Sequence, residues 1–416
     1  MRPPPPYGEY RSGASASGNP KTATRVFSPL NQPTSGVPLT PPGLLDLTDR
    51  GAGFLRRRSE NYLAATGDVH VPARVIQQYR LRPGDEIEGE VAPPGRQERG
   101  RSRGPELKSV TSINGRTAAD LANRPDFNRL AAIHPREQLT LDAGLKRFGQ
   151  RDYTNRVIDL LCPFGKGQRA LIVAPAKAGK TMVLQAIAEG LVKNHPEAAL
   201  FILLVDERPE EVTEMESCGF GEVIASSFDH SADRHIAVAE ILLERARRRV
   251  EQGEDVILIL DSITRLARAY NSTERGTGRT LSGGLDATSL EKPKRFLGSA
   301  RAVDPSQGGG SLTIIGTALI DTGSKMDQVI FEEFKGTGNS ELTLSRELAE
   351  RRIYPAIDLN ASGTRKEELL LPPAVLEVSH LLRSRLTSEG PVEAMSRLLT
   401  LMKRTESNAE IAKQLG

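Results

Sequence analysis

The segment Ala174–Thr181 has the residue types and the spacing that bind a polyphosphate. It follows the apolar run Ala170–Val173 and precedes Met182–Ala188, whose composition predicts a helix. A strand, a turn of small residues ending in Gly-Lys-Thr and a helix form a P-loop, whose backbone N–H groups point into one concavity. In such a loop Lys180 reaches the β- and γ-phosphates and the hydroxyl of Thr181 ligates Mg²⁺. The usual pattern begins with glycine, and alanine stands there in this chain.

Two carboxylates follow apolar runs in the same part of the chain. Val256–Leu260 has the length of a buried strand and ends at Asp261, which would hold the hydration shell of Mg²⁺ opposite the P-loop. Ala199–Val205 is a second such run and leads to Asp206 and Glu207. An acidic side chain there can orient or deprotonate the water that attacks the γ-phosphate, and we assign this role to Glu207. A helix cap or an ordinary salt bridge is the alternative role for either carboxylate.

Apolar runs alternate with helical stretches from residue 151 to residue 416. Ser311–Ile315 is a third run of strand length, and Ala237–Glu251 is one of the helical stretches. This alternation is typical of parallel strands joined by crossover helices, in which the strand ends converge on one crevice. We therefore expect the P-loop and both carboxylates to meet in one α/β domain.

The sequence before this domain has a different composition and a different pattern of apolar residues. Residues 1–43 are rich in Pro, Ser, Thr and Gly, offer little apolar surface, and are expected to form a disordered tail. Residues 44–115 contain short strand-like pieces separated by turns, which fits a small β-barrel, and residues 116–150 form a connector. The strand-like pieces are Gly53–Leu55, Val69–Val71, Ile87–Val91 and Lys108–Thr111.

Basic side chains are concentrated in the predicted barrel. Arg56, Arg57 and Arg58 closely follow Phe54, and four more arginines lie within Gly95–Pro105. An aromatic beside cations on a strand suits single-stranded nucleic acid, because bases stack on the ring while the cations hold phosphates. The residues support an inert, solvated face equally well.

Three glycine-rich loops lie downstream, at Gly276–Gly284, Gly308–Gly310 and Thr322–Lys325. Two of them carry an isolated cation, Arg279 or Lys325, which would suit mobile contacts with a phosphodiester backbone, although such loops often serve only as connectors. Arg365 stands far from the P-loop in sequence. It gains a role only if the protein forms a ring, in which it could stabilise charge on a neighbour's γ-phosphate.

The composition excludes several classes of protein. The net charge is only +3, so any nucleic-acid site must be local, and tryptophan is absent. Cys162 and Cys218 are too few for a disulfide framework or a zinc site. No apolar run approaches the roughly 20 residues of a membrane span, and the N-terminus lacks a secretory signal. We expect a soluble, cytoplasmic protein with no membrane partner.

Together these residues resemble the bacterial transcription termination factor Rho family. The resemblance runs from about residue 44 to the C-terminus. It is carried by Gly167–Thr181, Leu204–Met215, Leu260–Asn271, Asp321–Met326 and Ser362–Leu369. The family also has alanine at the first P-loop position, so Ala174 fits the resemblance. It implies an α/β RecA-like P-loop ATPase domain preceded by a small all-β OB-fold of cold-shock type.

The resemblance also implies an activity and an assembly. The expected protein is an RNA-dependent ATPase and 5′-to-3′ RNA–DNA helicase that binds nascent single-stranded RNA and dislodges it from RNA polymerase. It would form a homohexameric ring, with ATP and Mg²⁺ between subunits and RNA in the central pore. The expected partners are pyrimidine-rich, C-containing RNA and the RNA polymerase elongation complex.

Roles at the ATP site follow from the resemblance by position. The nucleotide contacts would be Lys177, Ala178, Gly179, Lys180, Thr181, Met182 and Tyr354, with Tyr354 stacked on adenine. The Mg²⁺ contacts would be Thr181 and, through water, Asp261. The catalytic set would be Glu207, Lys180, Arg208, Arg265 and Arg365. In this set Arg365 is the finger given to the next subunit, and Arg265 relays between nucleotide and pore.

RNA contacts follow in the same way. In the OB-fold they would be Phe54, Arg56 and Tyr62. In the pore they would be Leu281, Ser282, Gly283 and Gly284 of the Q loop and Lys325 of the R loop.

The chain departs from the family at three places. The usual Gly-Phe-Gly-Phe is Gly51–Phe54 here, with Ala52 in place of the first aromatic. Residues 95–105 are rich in Arg and Gly where further aromatic contacts are common. The small helical subdomain that usually precedes the barrel is replaced by the Pro-rich tail. The loss of a stacking ring at Ala52 predicts a different primary-site affinity or sequence preference. The Arg/Gly-rich segment predicts RNA binding that depends more on phosphate contacts and therefore steeply on salt.

Two other interpretations stay open. A rotary-type or secretion ATPase would share the RecA-like core and the trans-acting arginine, but not an arginine-rich, cold-shock-like barrel at the N-terminus. An RNA-binding regulator that uses ATP only to assemble would form hexamers and bind RNA without displacing strands.

Overall fold

The computed structural model describes residues 42–92, 104–121, 123–147, 149–273, 280–281, 284–286, 288–386 and 388–415. These residues belong to one compact unit, Pro38–Gly416. Residues 1–41 of the predicted tail, most of the Arg/Gly-rich segment 95–105, Arg279, Ser282 and Gly283 lie outside the described residues. The last residue of the predicted tail, Gly43, instead begins the first strand.

The N-terminal strands form a closed barrel in the order β1-β2-β3-β5-β4. They are β1 (Gly43–Leu47), β2 (Gly53–Arg56), β3 (Val69–Val71), β4 (Glu86–Ala92) and β5 (Glu106–Ile113), and helix α1 (Ala73–Tyr79) connects β3 to β4. Alternate residues of β4 are buried, as expected for strands with one face toward a core. The four strand-like pieces predicted from the sequence all lie within strands, and β1 and α1 were not predicted.

The connector packs against the ATPase domain along much of its length. Strand β6 (Ala132–Ile133) extends the large sheet by pairing with Ala302 and Val303, and β7 (Lys146–Arg147) forms a hairpin with β8 (Gln150–Arg151). Phe127 has no exposed surface and contributes to the same hydrophobic core as the sheet. The exact domain boundaries stay a prediction.

The main sheet has the order β11-β10-β12-β16-β9-β17-β18. The first six strands in this order are parallel to one another, and β18 pairs antiparallel with β17. The bounds of these strands are β9 (Arg169–Pro175), β10 (Ala199–Glu207), β11 (Glu222–Ser227), β12 (Asp255–Asp261), β16 (Ser311–Ile320), β17 (Ser340–Thr343) and β18 (Gly363–Thr364). Strand β15 (Arg301–Val303) pairs antiparallel with the start of β16. A small hairpin joins β13 (Thr280–Leu281) to β14 (Leu285–Asp286). Continuous apolar runs form these strands because both faces of the sheet are covered.

Helices cover the two faces of the sheet. They are α2 (Thr154–Leu161), α3 (Lys180–Asn194), α4 (Pro209–Ser217), α5 (Ala232–Val250), α6 (Ile263–Thr273), α7 (Glu291–Gly298), α8 (Lys325–Lys335), α9 (Arg346–Glu350), α10 (Pro373–Leu386), α11 (Pro391–Met402) and α12 (Asn408–Leu415). Helix α3 packs in one hydrophobic core, and α5 and α6 pack in the other. The predicted α/β architecture with a preceding barrel is therefore confirmed, although the elements are longer than the apolar runs suggested.

Within the described residues, no helix is both long enough and apolar enough to cross a bilayer. Cys162 is a buried free thiol and Cys218 a partly buried one.

Candidate ATP site and RNA-binding surface

The P-loop lies between the end of β9 at Pro175 and the start of α3 at Lys180. Lys177 and Gly179 both have left-handed backbone conformations, with φ of 65° and 87°. Such turns direct successive N–H groups into one concavity, which suits an anion. A Cβ atom placed on Gly179 would lie 3.6 Å from the ring of Tyr354, so this exposed aromatic borders the loop. Its stacking on adenine stays a prediction.

The parallel sheet brings the lysine and both carboxylates together. Strand β10 lies beside β12, and Leu204 is in register with Asp261. The ammonium Nζ of Lys180 lies 3.1 Å from Oε1 of Glu207 and 2.5 Å from both carboxylate oxygens of Asp261. The hydroxyl of Thr317 also donates to Asp261, at 2.7 Å. The three chemical groups predicted from separate segments form one buried cluster.

Burial and neighbouring charge set the protonation of this cluster. Burial raises the pKa of Glu207 and the charge of Asp261 adds to this, so that the pKa reaches about 7 although Lys180 and Arg265 lower it. Burial lowers the pKa of Lys180, but the two carboxylates more than offset this effect and raise it above the usual value. Lys180 is therefore charged at neutral pH, and Glu207 exchanges its proton near neutrality, which suits a general base.

Arg265 connects helix α6 to the end of β10. Its Nη1 lies 3.0 Å from the carboxylate of Asp206, and its Nε lies 3.4 Å from Glu207. Arg208 precedes α4, and its side chain is mostly exposed, 3.8 Å from Glu211. The structure thus places Arg265 inside the carboxylate cluster and Arg208 at its border.

Arg365 lies at the opposite end of the sheet from the P-loop of its own chain. It follows β18, and Thr364 pairs with Ser340, which in turn is in register with Ala170 near the start of β9. The P-loop follows the far end of β9. Arg365 is exposed and does not join the Lys180 cluster within one chain.

The remaining ATP-site residues lie on the loop and on the first turn of α3. Ala178 is buried, and Thr181 and Met182 are half-buried. Among the described residues no group of three or more His, Cys, Asp or Glu side chains could hold a metal alone. Mg²⁺ prefers one or two protein oxygens, several waters and substrate phosphates, so the Thr181 hydroxyl and the Asp261 carboxylate fit that ion beside a nucleotide.

The barrel presents an aromatic pair that only half matches the prediction. Phe54 on β2 is in register with His70 on β3, and their ring centroids are 5.6 Å apart. The guanidinium of Arg56 lies 5.2 Å from the centre of the Phe54 ring and pairs with Asp46 and Asp68. The sequence analysis did not single out His70, and the predicted strand-like piece Val69–Val71 that contains it was the only available signal.

Tyr62 does not lie beside Phe54. Its side chain is buried where the barrel meets the ATPase domain, and its hydroxyl donates to Glu222 at 2.6 Å and accepts from Arg245 at 2.9 Å. The ring is therefore engaged in the protein and is not available on the Phe54 surface in this structure.

The two loops predicted to line a pore are separate segments of the ATPase domain. Lys325 is the exposed first residue of α8, and the preceding Thr322 donates to Asp327 of that helix. In the predicted Q loop, Leu281 belongs to β13 and Gly284 is exposed with a φ of 80°.

Comparisons with known proteins agree with this architecture. The family model of the Rho termination factor RNA-binding domain matches residues 42–119, and that of the ATP synthase alpha/beta nucleotide-binding domain matches residues 154–364. Two type III secretion ATPases, one prototypical and the other EscN from enteropathogenic E. coli, have TM-scores of 0.56 and 0.55, with 21% and 20% identity. They cover 77% of this chain, and 93% and 78% of their own chains are matched. At this identity the likeness concerns the fold alone, and the barrel matches the Rho model.

Relatives named transcription termination factor Rho match nearly the whole chain. The protein of Gemmatimonas aurantiaca is 52% identical over 92% of this chain, which spans about half (52%) of that relative's length. The proteins of Salmonella typhimurium and Escherichia coli K12 are each 48% identical over 94% of this chain and 91% of their own length. The chain belongs to the transcription termination factor Rho family of RNA-binding, ATP-dependent termination factors.

Proposed function

We propose that this chain uses ATP hydrolysis to move along single-stranded RNA and so removes transcripts from RNA polymerase elongation complexes. The observation that carries the proposal is the position of Lys180, which lies between Glu207 and Asp261 on a chain that also carries a Rho-type RNA-binding barrel. A complete set of hydrolytic groups and an RNA-binding domain on one chain favour a coupled motor.

The residues of the site have distinct tasks in hydrolysis. The Glu207 carboxylate accepts a proton from the attacking water, for which a pKa near neutrality is well suited. Lys180 would turn from Asp261 toward the phosphates, and Mg²⁺ would be held by Thr181 and, through water, by Asp261. When bound, Mg²⁺ neutralises charge on the phosphate oxygens. Tyr354 stacks on the base beside Gly179.

The assembly follows from the position of Arg365. It lies at the end of the sheet away from its own P-loop, so it can stabilise phosphate charge only on a nucleotide held by another copy. A head-to-tail ring places every Arg365 against a neighbouring P-loop, and we propose the homohexamer on this ground. Arg265 joins the Glu207 strand to α6 and would transmit the state of the nucleotide toward the pore-side loops.

The RNA would be bound at two surfaces. Phe54 and His70 offer rings for base stacking, and Arg56 supplies charge next to them. Lys325 offers an exposed cation in the pore. We propose a preference for C-containing RNA, weakened by Ala52, with affinity that falls steeply as salt increases.

The test is ATP turnover with and without poly(C) at two salt concentrations. We expect poly(C) to stimulate hydrolysis strongly and the concentration of RNA required to rise with salt. Turnover that does not respond to poly(C), poly(U) or any other homopolymer would contradict the coupling of hydrolysis to RNA.

Strand displacement separates a motor from a regulator that only assembles with ATP. We expect unwinding of an RNA–DNA duplex with a 5′ single-stranded RNA tail, and release of transcripts from stalled elongation complexes. RNA-stimulated hydrolysis without either activity would favour the regulator.

A further inference from the structure

Arg169 and Arg365 are neighbouring cations at the end of the sheet that lies opposite the P-loop. The guanidinium of Arg169 donates to the backbone carbonyls of Thr337 and Ala300, at 3.1 and 3.3 Å. In the part of the chain that the structure describes, no carboxylate pairs with Arg169 or with Arg365. Arginines withdrawn from water are normally paired, so the half-buried Arg169, which contacts only carbonyls, leaves room for an anion beside the exposed Arg365.

One residue fixes the two arginines relative to each other. The backbone N–H of Arg169 donates to the side-chain Oδ1 of Asn339, and the N–H of Asn339 donates back to the carbonyl of Arg169, both at 2.9 Å. The N–H of Arg365 donates to the carbonyl of the same Asn339, again at 2.9 Å. Both backbones are thus tied to one asparagine, which makes their proximity a built feature of the sheet end.

The surroundings of this pair are open, and cations outnumber anions in them. Arg169 lines a cavity of about 430 Å³ with Arg136 and Arg301. Arg365 lines an adjoining cavity of about 230 Å³ with Lys335 and Glu341, whose charged groups lie 3.5 Å apart. Asn339 borders both cavities. Burial lowers the pKa of Arg169, and the charge of Arg365 lowers it further, which is the expected effect of two like charges without an anion between them.

We propose that Arg169 is a second cation, beside Arg365, that this chain presents to the polyphosphate of a nucleotide bound by a neighbouring copy. The inference rests on the proposed function, in which Arg365 acts across the subunit boundary. Strand β9 separates Arg169 from its own P-loop by six residues, or about 20 Å, so Arg169 does not serve its own nucleotide. A planar guanidinium that keeps its charge matches phosphate oxygens through paired hydrogen bonds.

The first test is turnover of the full-length protein with Arg169→Gln at saturating poly(C). We expect a loss of about 10- to 100-fold, because one charged donor to the transferred phosphoryl group is removed. Arg169→Lys keeps the charge and should recover part of the loss. The matched control is Arg346→Gln, which removes an exposed arginine of an i,i+4 pair on α9 and should leave turnover unchanged.

The decisive test mixes two impaired proteins. Lys180→Ala lacks the P-loop lysine but keeps Arg169, whereas Arg169→Gln keeps an intact P-loop. In a randomly mixed head-to-tail ring, about a quarter of the interfaces place Arg169 of a Lys180→Ala subunit against the intact P-loop of an Arg169→Gln subunit. If Arg169 acts in trans, the mixture should hydrolyse ATP at up to about a quarter of the wild-type rate per subunit, and above both parents.

The corresponding mixture of Lys180→Ala with Arg365→Gln shows which idea fails. Recovery with Arg365→Gln but not with Arg169→Gln would overturn the trans-acting role of Arg169 and leave that of Arg365 standing. Arg169 would then act only within its own subunit, as a stabilising residue. No recovery in either mixture would overturn the trans-acting site and the ring mechanism together. A loss of poly(C) affinity in Arg169→Gln without a change in maximal turnover would also overturn the inference, because the phosphate would then belong to RNA.

Discussion

Glu207 has the environment that a general base for hydrolysis needs. Its side chain is buried beside Asp261, and the burial and that charge bring its pKa to about 7, while Lys180 and Arg265 keep it from rising further. Lys180 is the cation whose contacts would change most when a nucleotide binds, because the phosphates would compete with Asp261 for its ammonium group. At the scale of single residues, function therefore depends on which anion each buried cation contacts.

Replacing Glu207 by Gln should remove the base and keep the shape of the site. We expect turnover to fall by about 10²- to 10⁴-fold with little change in ATP affinity. Steady-state hydrolysis and equilibrium nucleotide binding measure the two effects. Glu216→Gln on the exposed side of α4 is the control and should be active. A Glu207→Gln protein with wild-type turnover would refute the assigned role.

The pH dependence of ATP hydrolysis should report the titration of Glu207. Since the carboxylate form of Glu207 accepts the proton, kcat/KM for ATP should rise as pH increases through about 7 and fall below it. Rates measured from about pH 5.5 to 8.5 at constant ionic strength check this expectation. A profile that is flat across this range would show that Glu207 is already ionised and that the burial effect is overcome in the active protein.

Strands β2 and β3 form the barrel surface that we propose for RNA. Their antiparallel register places Phe54 opposite His70, and Arg56 lies over the same ring. This arrangement offers one phenyl ring and one imidazole for stacking, with Ala52 where the family usually has another aromatic. At the scale of elements, pairing of two short strands defines the proposed surface, and we expect its small number of rings to limit the affinity for RNA.

Adding the missing ring should strengthen RNA binding. Ala52→Phe is expected to increase affinity for poly(C), whereas Phe54→Ala should weaken it by about 1–3 kcal/mol, the contribution of one stacked base. Fluorescence anisotropy with a short oligo(C) measures both changes. Arg74→Gln, an exposed substitution on α1, is the control for charge on the barrel. Equal affinities for all four proteins would show that RNA does not bind at this surface.

The barrel and the ATPase domain are joined through a buried polar network around Arg245. This arginine of α5 contacts Tyr62 at 2.9 Å, Glu222 at 2.8 Å and Glu86 at 3.1 Å, and only 7% of its side chain is exposed. Burial would raise the pKa of Glu222, but Arg245 and the Tyr62 hydroxyl reverse this and hold the pKa below its usual value. At the scale of the whole molecule, these contacts hold the RNA-binding barrel against the domain that carries the motor.

Arg245→Met should destabilise the protein markedly. The substitution leaves the largely buried Glu222 with only the exposed Arg58, 3.5 Å away, as a cationic partner. Because breaking a buried pair costs about 3–5 kcal/mol, we expect a loss at the lower end of that range. The shift in the urea unfolding midpoint measures the effect, with Arg346→Gln as a control that should cost no more than about 0.5 kcal/mol. A midpoint equal to that of the wild type would show that the network does not support the junction.

The ATP site was predictable because each of its parts leaves a local trace. The P-loop is a continuous segment, and Asp261 and Glu207 end apolar runs whose parallel arrangement brings them to one edge. The barrel was predictable in outline from alternating strands and turns. Element boundaries were less predictable, since β16 continues to Ile320, well beyond the apolar run that predicted it.

What the sequence by itself determined is the chemistry of this protein, whereas the tertiary structure decided which groups are free to perform it. Tyr62 looked like an RNA contact, yet packing against Arg245 buries it, and His70 took the place beside Phe54 through strand register. Asn339 joins Arg169 to Arg365 although they are far apart in the chain. Contacts of this kind depend on long-range packing and hydrogen bonding, which leave no periodic pattern in the residues they join.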